Sequence, residues 1–127
     1  MVRAALEGAA FSLRHNLETA EHAGAIAENL RSIGGAANSM LWTQIKTDVT
    51  GKPIFVPSSD MATTLGAALL AGVATGIYRD FKDAVSKTVR ITRKHEPNPE
   101  NSQAYQRAYE TFIGLYEKLE PFMRGER

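Results

Sequence analysis

The 127-residue sequence predicts an α/β fold, with the order helix–strand–helix–strand–helix followed by a helical C-terminal tail. Two observations predict it. Apolar residues recur at helical spacing in several segments, and short apolar runs bounded by glycine or proline separate these segments. Strands that alternate with helices favour a layer of parallel neighbouring strands joined by right-handed crossovers.

The first predicted helix spans Val2 to about Ala20, where apolar residues recur along one helical face. Residues Asn29 to Ile33 follow as a short strand. This strand leads into the turn Gly34–Asn38, which contains two adjacent glycines and is followed at once by the start of the next helix. The segment therefore reads as strand end, glycine turn and helix start, in that order.

The second helix begins after Asn38 or Ser39, either of which can cap it, and ends at Gly51. The run Pro53–Pro57 is apolar and bracketed by prolines, which indicates a short buried strand. The third helix spans Met61 to Gly76 and is rich in small residues, so it can pack closely on a neighbour. Two short parallel strands do not make a stable sheet alone, which suggests a piece of a larger sheet.

Charged residues are more concentrated from Arg79 onward, so the C-terminal part is predicted to be more solvated. Asp80 to Thr88 is predicted as a short helix. Residues His95 to Pro99 are predicted as a loop because they contain two prolines and an asparagine. Ser102 to about Met123 is predicted as the last helix, with an aromatic stripe along one side.

Composition excludes several classes of function. The formal net charge of +1 offers no general attraction for nucleic acid or for anionic membranes, so neither is expected as a partner. The absence of cysteine excludes disulfides, thiolate zinc sites and cysteine nucleophiles. No signal peptide or membrane-spanning run is visible, and a cytoplasmic location is expected.

The glycine turn is the segment with the clearest chemical potential. Glycines let backbone N–H groups approach a ligand without a Cβ in the way, and a helix N-terminus favours phosphate. Ser39 adds a hydroxyl group at the same place. A purely structural turn with an ordinary helix cap is an equally good interpretation of the spacing. The segment matches neither the Walker loop nor the dinucleotide fingerprint.

Three ordered motifs resemble the C-terminal lobe of the FGGY family of carbohydrate kinases. The central one is Gly34-Gly35-Ala36-Ala37-Asn38-Ser39-Met40-Leu41-Trp42-Thr43-Gln44, followed by Asp48, Gly51, Lys52 and Pro53. The flanking ones are Arg3-Ala4-Ala5-Leu6-Glu7-Gly8-Ala9-Ala10-Phe11 and Thr64-Leu65-Gly66-Ala67-Ala68-Leu69-Leu70-Ala71-Gly72. Ser39, Trp42 and Gln44 place the motif nearer the xylulokinase-like and gluconate-kinase-like members than the glycerol kinases.

The resemblance implies part of a ribonuclease-H-like, actin-like ATPase domain. Residues 1–78 would be a partial C-terminal domain that carries the nucleotide-side turn, and residues 79–127 a charged helical extension of the same domain. In such kinases the positions of Gly34, Gly35 and Ala36 lie against the α-phosphate and ribose, and that of Ser39 lies near the adenosine. Asn38 is a lesser candidate for nucleotide binding.

The resemblance also implies ATP and Mg²⁺ as cofactors of the full enzyme, which transfers a phosphoryl group to a sugar hydroxyl. The first and second phosphate loops, most sugar contacts and the aspartate base belong to parts of the family fold that precede these motifs. The chain is therefore expected to be a fragment that binds adenine nucleotide, leaves the sugar mainly to the missing lobe, and is inactive alone. No residue of the chain is expected to perform catalysis or to bind metal.

Other candidate residues favour structural roles. His15, Glu18 and His22 share a helical face, but so sparse a set is more typical of solvated surface than of a metal site. His95 has no partner nearby in the sequence, and turn or capping roles are expected for Asp48 and Asp60. A basic cluster is predicted to be a solvated strand or loop: Lys87, Arg90, Arg93 and Lys94. An aromatic stripe is predicted to dock the last helix onto the domain: Tyr105, Tyr109, Phe112 and Tyr116. Trp42 is predicted as core.

Two further hypotheses stay open. The chain can be a non-enzymatic α/β interaction module whose glycine turn is only structural. An exposed strand edge would then pair with a partner or with a second copy, giving a homo-oligomer. Another actin-like ATPase domain is the third hypothesis, since one fold hosts several functions.

Overall fold

The computed structural model describes residues 1–58 and 62–125. Its elements, in chain order, are α1 (Val2–His22), β1 (Leu30–Arg31), a 3₁₀ turn (Gly35–Asn38), α2 (Met40–Thr50), β2 (Ile54–Pro57), α3 (Ala62–Ala74), α4 (Phe81–Thr88), β3 (Ile91–His95) and α5 (Pro99–Met123). The α/β class and the order of the first five elements are as predicted. None of the helices in the described ranges is both long and apolar enough to cross a membrane.

The predicted boundaries of α2 rest on local chemistry that the structure confirms. The Ser39 hydroxyl oxygen accepts a hydrogen bond from the backbone N–H of Trp42 and so caps the N-terminus. Gly51 ends the helix in the left-handed conformation, at φ 66°, where its N–H bonds the carbonyl of Thr47. These two residues fix the entry and exit of the helix that follows the glycine turn.

The sheet has three strands in the order β1–β2–β3, with β2 in the centre. β1 and β2 run parallel, as predicted, with Leu30 opposite Ile54. β3 pairs antiparallel with β2, and His95 lies opposite Ile54 on its other side. The third strand comes from the predicted helical tail, and it supplies the neighbour that two short parallel strands lack. Most of its residues are exposed, as expected for a solvated strand.

The prediction of a loop from His95 to Pro99 is wrong at both ends. His95 is the last residue of β3, and Pro99 is the first residue of α5. Proline suits the first helical position because its fixed φ is helical and its missing N–H has no helical partner there. The Asn98 side chain caps the same helix by accepting a hydrogen bond from the N–H of Glu100, at 3.0 Å.

The main core lies between α1, α2 and α5. Its buried members come from all three of these helices: Ala10, Phe11, Ile45, Val49, Tyr105 and Tyr109. The Phe11 ring contacts the rings of Tyr105, Tyr109 and Phe112 at centroid distances of 6.2, 6.0 and 5.7 Å. This confirms that the aromatic stripe docks the last helix. Trp42 packs, half-buried, against the same cluster, as predicted for a core residue.

α3 packs on α4, and the two helices form a second packed unit. A Cβ at Gly72 would lie 2.7 Å from the ring of Tyr78, so the tyrosine covers this glycine closely. Leu69 is buried, whereas Leu70 is 60% exposed although the helix is almost wholly apolar. One side of α3 therefore remains open to solvent in this chain.

Candidate functional site

The five predicted nucleotide-binding residues lie together in one continuous turn between β1 and α2. The N–H of Ser32 donates to the carbonyl of Phe55 and carries the sheet pairing up to the turn. Gly34 then adopts φ 79° and ψ 177°, a conformation that is essentially restricted to glycine. The chain continues as the 3₁₀ turn, closed by a 2.9 Å hydrogen bond from the N–H of Ala37 to the carbonyl of Gly34.

The outer surface of this turn is open. Gly35, Ala36, Asn38 and Ser39 are exposed and Gly34 is half-buried. A Cβ placed on Gly35 would meet no atom within 4 Å. Among residues 1–58 and 62–125, the structure gives the N–H groups of Gly35 and Ala36 no acceptor. Two backbone donors in an exposed part of the turn are therefore left without an acceptor among the described residues, and anionic or carbonyl oxygens of a ligand suit them.

The Ser39 hydroxyl has a structural role and retains hydrogen-bonding capacity. Its oxygen accepts from the N–H of Trp42 at 3.2 Å, which stabilises the start of α2. A hydroxyl group has one proton to donate and a second lone pair. Capping the helix therefore does not prevent Ser39 from contacting a ligand at the turn.

The inner side of the turn rests on β3. Ala37 is only 2% exposed, and its carbonyl accepts a hydrogen bond from the guanidinium group of Arg93 and a longer one, of 3.4 Å, from the Thr43 hydroxyl. The other terminal nitrogen of Arg93 contacts the sulfur of Met40. The sequence alone does not reveal this support, because Arg93 lies 56 positions from Ala37 and no local pattern links them.

A second cation lies near the end of β1. The Lys46 ammonium group donates to the Ser32 hydroxyl at 2.7 Å and lies 5.2 Å from the centre of the Trp42 ring. Burial lowers the pKa of Lys46 below its ordinary value. Together with Arg93, this side chain places positive charge on the inner side of α2, close to the glycine turn.

A hollow of about 440 Å³ opens beside the first turns of α2. It is lined by α2 and by the end of β3 with the residue after it: Met40, Leu41, Gln44, Lys94, His95 and Glu96. Two of these residues, Met40 and Leu41, directly follow Ser39 in the chain. The candidate site is thus an exposed backbone turn next to a shallow, mixed polar and apolar hollow.

His95 forms the floor of this region and has a defined hydrogen-bonding partner. The Gln44 amide nitrogen donates to Asp48 and to the carbonyl of Glu96, so its oxygen faces His95 Nδ1 at 2.9 Å. His95 is 5% exposed, and its Nε2 has no partner among the described residues. Burial lowers the pKa of His95, and the nearby charges of Arg93 and Lys46 lower it further.

Asp48 has a structural role that differs from a simple turn or cap. It lies within α2, and its carboxylate accepts from the N–H of Asn98 and from the Asn101 amide, each at 2.9 Å. A third bond, of 2.8 Å, comes from Gln44. Asp48 therefore fastens the start of α5 to α2. Asp60, for which a similar role was predicted, lies outside the described residues.

The remaining candidates have partners of their own. Glu18 pairs with Arg14 at 2.8 Å and accepts a 2.6 Å hydrogen bond from Tyr109, so it is not available to a site with His15 and His22. Among the basic residues, Lys87 pairs with Asp83 and Lys94 pairs with Glu96. No grouping of three or more histidine or acidic side chains suited to a metal ion occurs in the described ranges.

A larger hollow, of about 580 Å³, lies between α1 and α5. It is lined by Arg14, His15, Glu18, Thr19, His22, Gln106, Tyr109, Glu110, Ile113, Gly114 and Glu117. None of these residues belongs to the glycine turn. Two effects raise the pKa of Tyr109 to about 12: mainly its burial, and to a smaller extent its hydrogen bond to Glu18. The tyrosine is thus neutral and acts as a hydrogen-bond donor at neutral pH.

Comparison with known proteins identifies relatives across almost the whole chain. Residues 1–75 match the C-terminal domain of the FGGY family of carbohydrate kinases. The autoinducer-2 kinase of Salmonella paratyphi B is 38% identical over 126 residues, which cover 98% of this chain and 24% of that protein. The chain therefore spans about a quarter of the length of such relatives.

Solved structures of carbohydrate kinases also match almost the whole chain. The xylulose kinase from Rhodospirillum rubrum has a TM-score of 0.83 and 30% sequence identity, covering 96% of this chain and 25% of that one. The gluconate kinase from Lactobacillus acidophilus has a TM-score of 0.84 over 94% of this chain and 24% of that one, and at 23% identity it supports the fold alone.

Proposed function

Because the chain belongs to the FGGY family of carbohydrate kinases, we propose that its glycine turn forms the adenine-nucleotide side of a kinase active site. The observation that carries the proposal is the exposed turn Gly34–Ser39, which offers backbone donors on its open surface. In the full enzyme the γ-phosphoryl group of ATP passes to a hydroxyl oxygen of a small sugar or polyol, giving ADP and a sugar phosphate.

Each residue of the turn has a distinct part in this proposal. Gly34 sets the direction of the chain through its positive φ, and the N–H groups of Gly35 and Ala36 donate to phosphate oxygens. Ser39, with Asn38 beside it, lies next to the nucleoside. The positive charges of Lys46 and Arg93 behind the turn favour the anionic part of the ligand.

The chemical step depends on groups outside this chain. Phosphoryl transfer requires a metal ion, a group that orients the attacking hydroxyl and close positioning of both substrates. Mg²⁺ is part of the proposal for the full enzyme. The described residues offer no cluster of side chains suited to hold a metal ion. The relatives are named for autoinducer-2, xylulose and gluconate, and we propose a small polyhydroxylated substrate bound mainly by the rest of the kinase.

The domain assignment follows from the same proposal. Residues 1–78 carry the nucleotide-side turn, and residues 79–127 extend the same domain. The extension contributes β3 behind the turn and the aromatic side of α5 to the core, which agrees with a single domain. A cytoplasmic location, where ATP is available, is part of the same proposal.

Amide hydrogen exchange with and without ADP tests nucleotide binding. We expect saturating ADP to slow exchange within Gly34–Ser39, while α4, which has no part in the proposed site, exchanges at an unchanged rate. Titration of ADP should give a saturable effect. Equal exchange of the turn at millimolar ADP and in its absence would contradict the proposal.

A second experiment tests the expectation that the chain alone is inactive. The purified chain is incubated with ATP, Mg²⁺ and either xylulose or gluconate, and ADP release is followed. We expect no sugar-dependent release, because the groups that orient the sugar hydroxyl lie outside the chain. Sugar-dependent ADP formation would refute this part of the proposal.

The alternative of an interaction module has one observation in its favour, the apolar and half-open helix α3. An apolar surface of this kind is typical of a region covered by another element or another chain. If the module hypothesis is correct, sedimentation velocity will show a stable dimer that is unaffected by ADP, and exchange of the turn will not respond to nucleotide.

A further inference from the structure

We propose that Arg93 is a positioning residue for the glycine turn, acting through the backbone carbonyl of Ala37; this inference rests on the proposed nucleotide-binding function. Arg93 lies on β3, outside residues 1–75, the range that matches the C-terminal domain of the kinase family. It does not lie on the turn itself. Its role is to hold the turn in the conformation that presents the N–H groups of Gly35 and Ala36.

The sheet determines where Arg93 lies. Antiparallel pairing with β2 places Arg93 opposite Val56, and its neighbours Thr92 and Lys94 are more exposed than it is. Side chains alternate between the two faces of a strand, so Arg93 has the face opposite to theirs. The strand thus directs one of its basic residues toward the turn, while Lys94 pairs with Glu96.

The carbonyl that Arg93 contacts needs a donor. Ala37 is the third residue of a four-residue 3₁₀ turn, and carbonyl groups at the end of a helix have no partner within it. Ala37 is also buried, so an unpaired carbonyl here would cost free energy. A hydrogen bond from a charged guanidinium is stronger than one from a neutral donor. Without it, the 3.4 Å bond from Thr43 is the one hydrogen bond that the described residues still give this carbonyl.

The guanidinium group spans two elements at once. One terminal nitrogen bonds the carbonyl of Ala37, and the other contacts the sulfur of Met40, the first residue of α2. The forked guanidinium group therefore connects the turn to the helix that follows it. A lysine at the same place keeps the charge but has one compact ammonium group, so it can reproduce only part of the arrangement.

Arg93 also contributes charge to the site. Its guanidinium lies behind a turn whose outer N–H groups are proposed to face phosphate, so removing it weakens the attraction for anions as well as the turn geometry. The loss should therefore be larger for ADP than for adenosine, which has no phosphate. A general loss of folding would reduce the binding of both ligands equally.

The experiment compares Arg93→Ala and Arg93→Lys with the matched control Arg90→Ala. Arg90 is exposed, lies three positions away and carries the same charge. Exchange of the Ala37 and Ser39 amides, which bond the carbonyls of Gly34 and Ala36, is measured without ligand. ADP and adenosine dissociation constants are measured on all variants.

In R93A we expect exchange of these two amides to be about tenfold faster and ADP binding about tenfold weaker, with adenosine binding changed less than about threefold. R93K should recover part of the ADP affinity, and R90A should resemble the parent chain. Equal exchange in R93A and R90A overturns the inference, whether or not the chain binds nucleotide. Equal losses for ADP and adenosine also overturn it, because they indicate a general structural role.

The proposed function can fail separately. If the parent chain shows no ADP binding, nucleotide binding by this chain is refuted. The exchange comparison still decides whether Arg93 holds the turn.

Discussion

Gly34 and Gly35 are neighbours in the turn, but the backbone places different demands on them. Gly34 has φ 79° and ψ 177°, where other residues are strained by about 1–3 kcal/mol. Gly35 has no positive φ, and a Cβ there would point into open space. The first glycine is required by conformation, whereas any requirement for the second comes from a ligand.

We therefore expect Gly34→Ala to lower the free energy of unfolding by about 1–3 kcal/mol. Gly35→Ala should leave it within about 0.5 kcal/mol, since its new methyl group meets no protein atom. Urea unfolding measures both. If nucleotide lies on the turn, G35A will still weaken ADP binding; unchanged ADP affinity in a G35A chain of normal stability would place the ligand elsewhere.

His95 gives the fold a defined dependence on pH. Its pKa is lowered in the folded state, mainly by burial, so the folded protein binds the proton less strongly than the unfolded chain does. The contribution of neutral His95 to the free energy of unfolding is therefore fully present above the ordinary histidine pKa of about 6.5. It is lost progressively as the pH falls below that value. The loss has a limiting slope of about 1.4 kcal/mol per pH unit.

Urea unfolding between pH 7.5 and pH 5.5 checks this expectation. The parent chain should lose stability over this range, and His95→Gln should show a flatter profile. His22→Gln, which changes an exposed histidine at the end of α1, should keep the slope of the parent chain. If the slope disappears in H22Q and persists in H95Q, the pH dependence of stability comes from His22, and the expectation for His95 is wrong.

At the scale of elements, one carboxylate fastens the start of α5 to α2, beside the aromatic packing farther along the helix. Asp48 accepts three hydrogen bonds, two of them from the start of α5. In Asp48→Asn, one acceptor oxygen becomes a donor that faces existing donors. We expect a loss of about 1.5–3 kcal/mol and faster exchange at the start of α5. Asp83→Asn, which removes the carboxylate partner of the exposed Lys87 in α4, should cost less than about 1 kcal/mol.

Helix α3 offers a matched pair of glycines. A Cβ at Gly72 would meet the Tyr78 ring at 2.7 Å, whereas one at Gly66 would meet no atom of residues 1–58 or 63–125 within 4 Å. Alanine is favoured over glycine in helices by up to about 1 kcal/mol. Gly66→Ala should therefore stabilise the chain, and Gly72→Ala should be at least about 1 kcal/mol less stable than G66A. Equal melting temperatures would show that Tyr78 moves aside without cost.

Local sequence signals were sufficient for most elements and insufficient for their long-range contacts. Ser39 and Gly51 specify the ends of α2 by capping chemistry that a few neighbouring residues contain. β3 was harder to predict, because Thr92, Arg93 and Lys94 resemble a solvated segment and the strand is held by pairing with β2. Pro99 is ambiguous from the sequence, because proline both breaks a helix and favours its first position.

The candidate site likewise has a part that local sequence signals predict and a part that depends on long-range contacts. The turn Gly34–Ser39 was predicted from contiguous residues. Its support from Arg93 and the pairing of His95 with Gln44 join positions 56 and 51 residues apart, for which a single sequence holds no periodic signal. The outer surface of the site was therefore predictable, and the inner contacts that hold it were not.

At the scale of the whole molecule, the core joins the two ends of the chain. Phe11 of α1 is enclosed by Tyr105, Tyr109 and Phe112 of α5. A chain that contains only residues 1–78 lacks this entire aromatic side and β3. We expect such a chain to lose the cooperative unfolding transition of the full chain, as followed by near-UV circular dichroism. A sharp transition in the shortened chain would show that the first three helices and the first two strands suffice.

The position of β3 also has a consequence for synthesis on the ribosome. Translation proceeds from the N-terminus, so β1, the glycine turn and β2 emerge well before residue 95. Until β3 and α5 leave the exit tunnel, the carbonyl of Ala37 lacks its Arg93 donor and Phe11 lacks its aromatic neighbours. The nascent chain thus exposes the candidate nucleotide turn in an unsupported form, and the turn acquires its inner support only when the last third of the chain has been made.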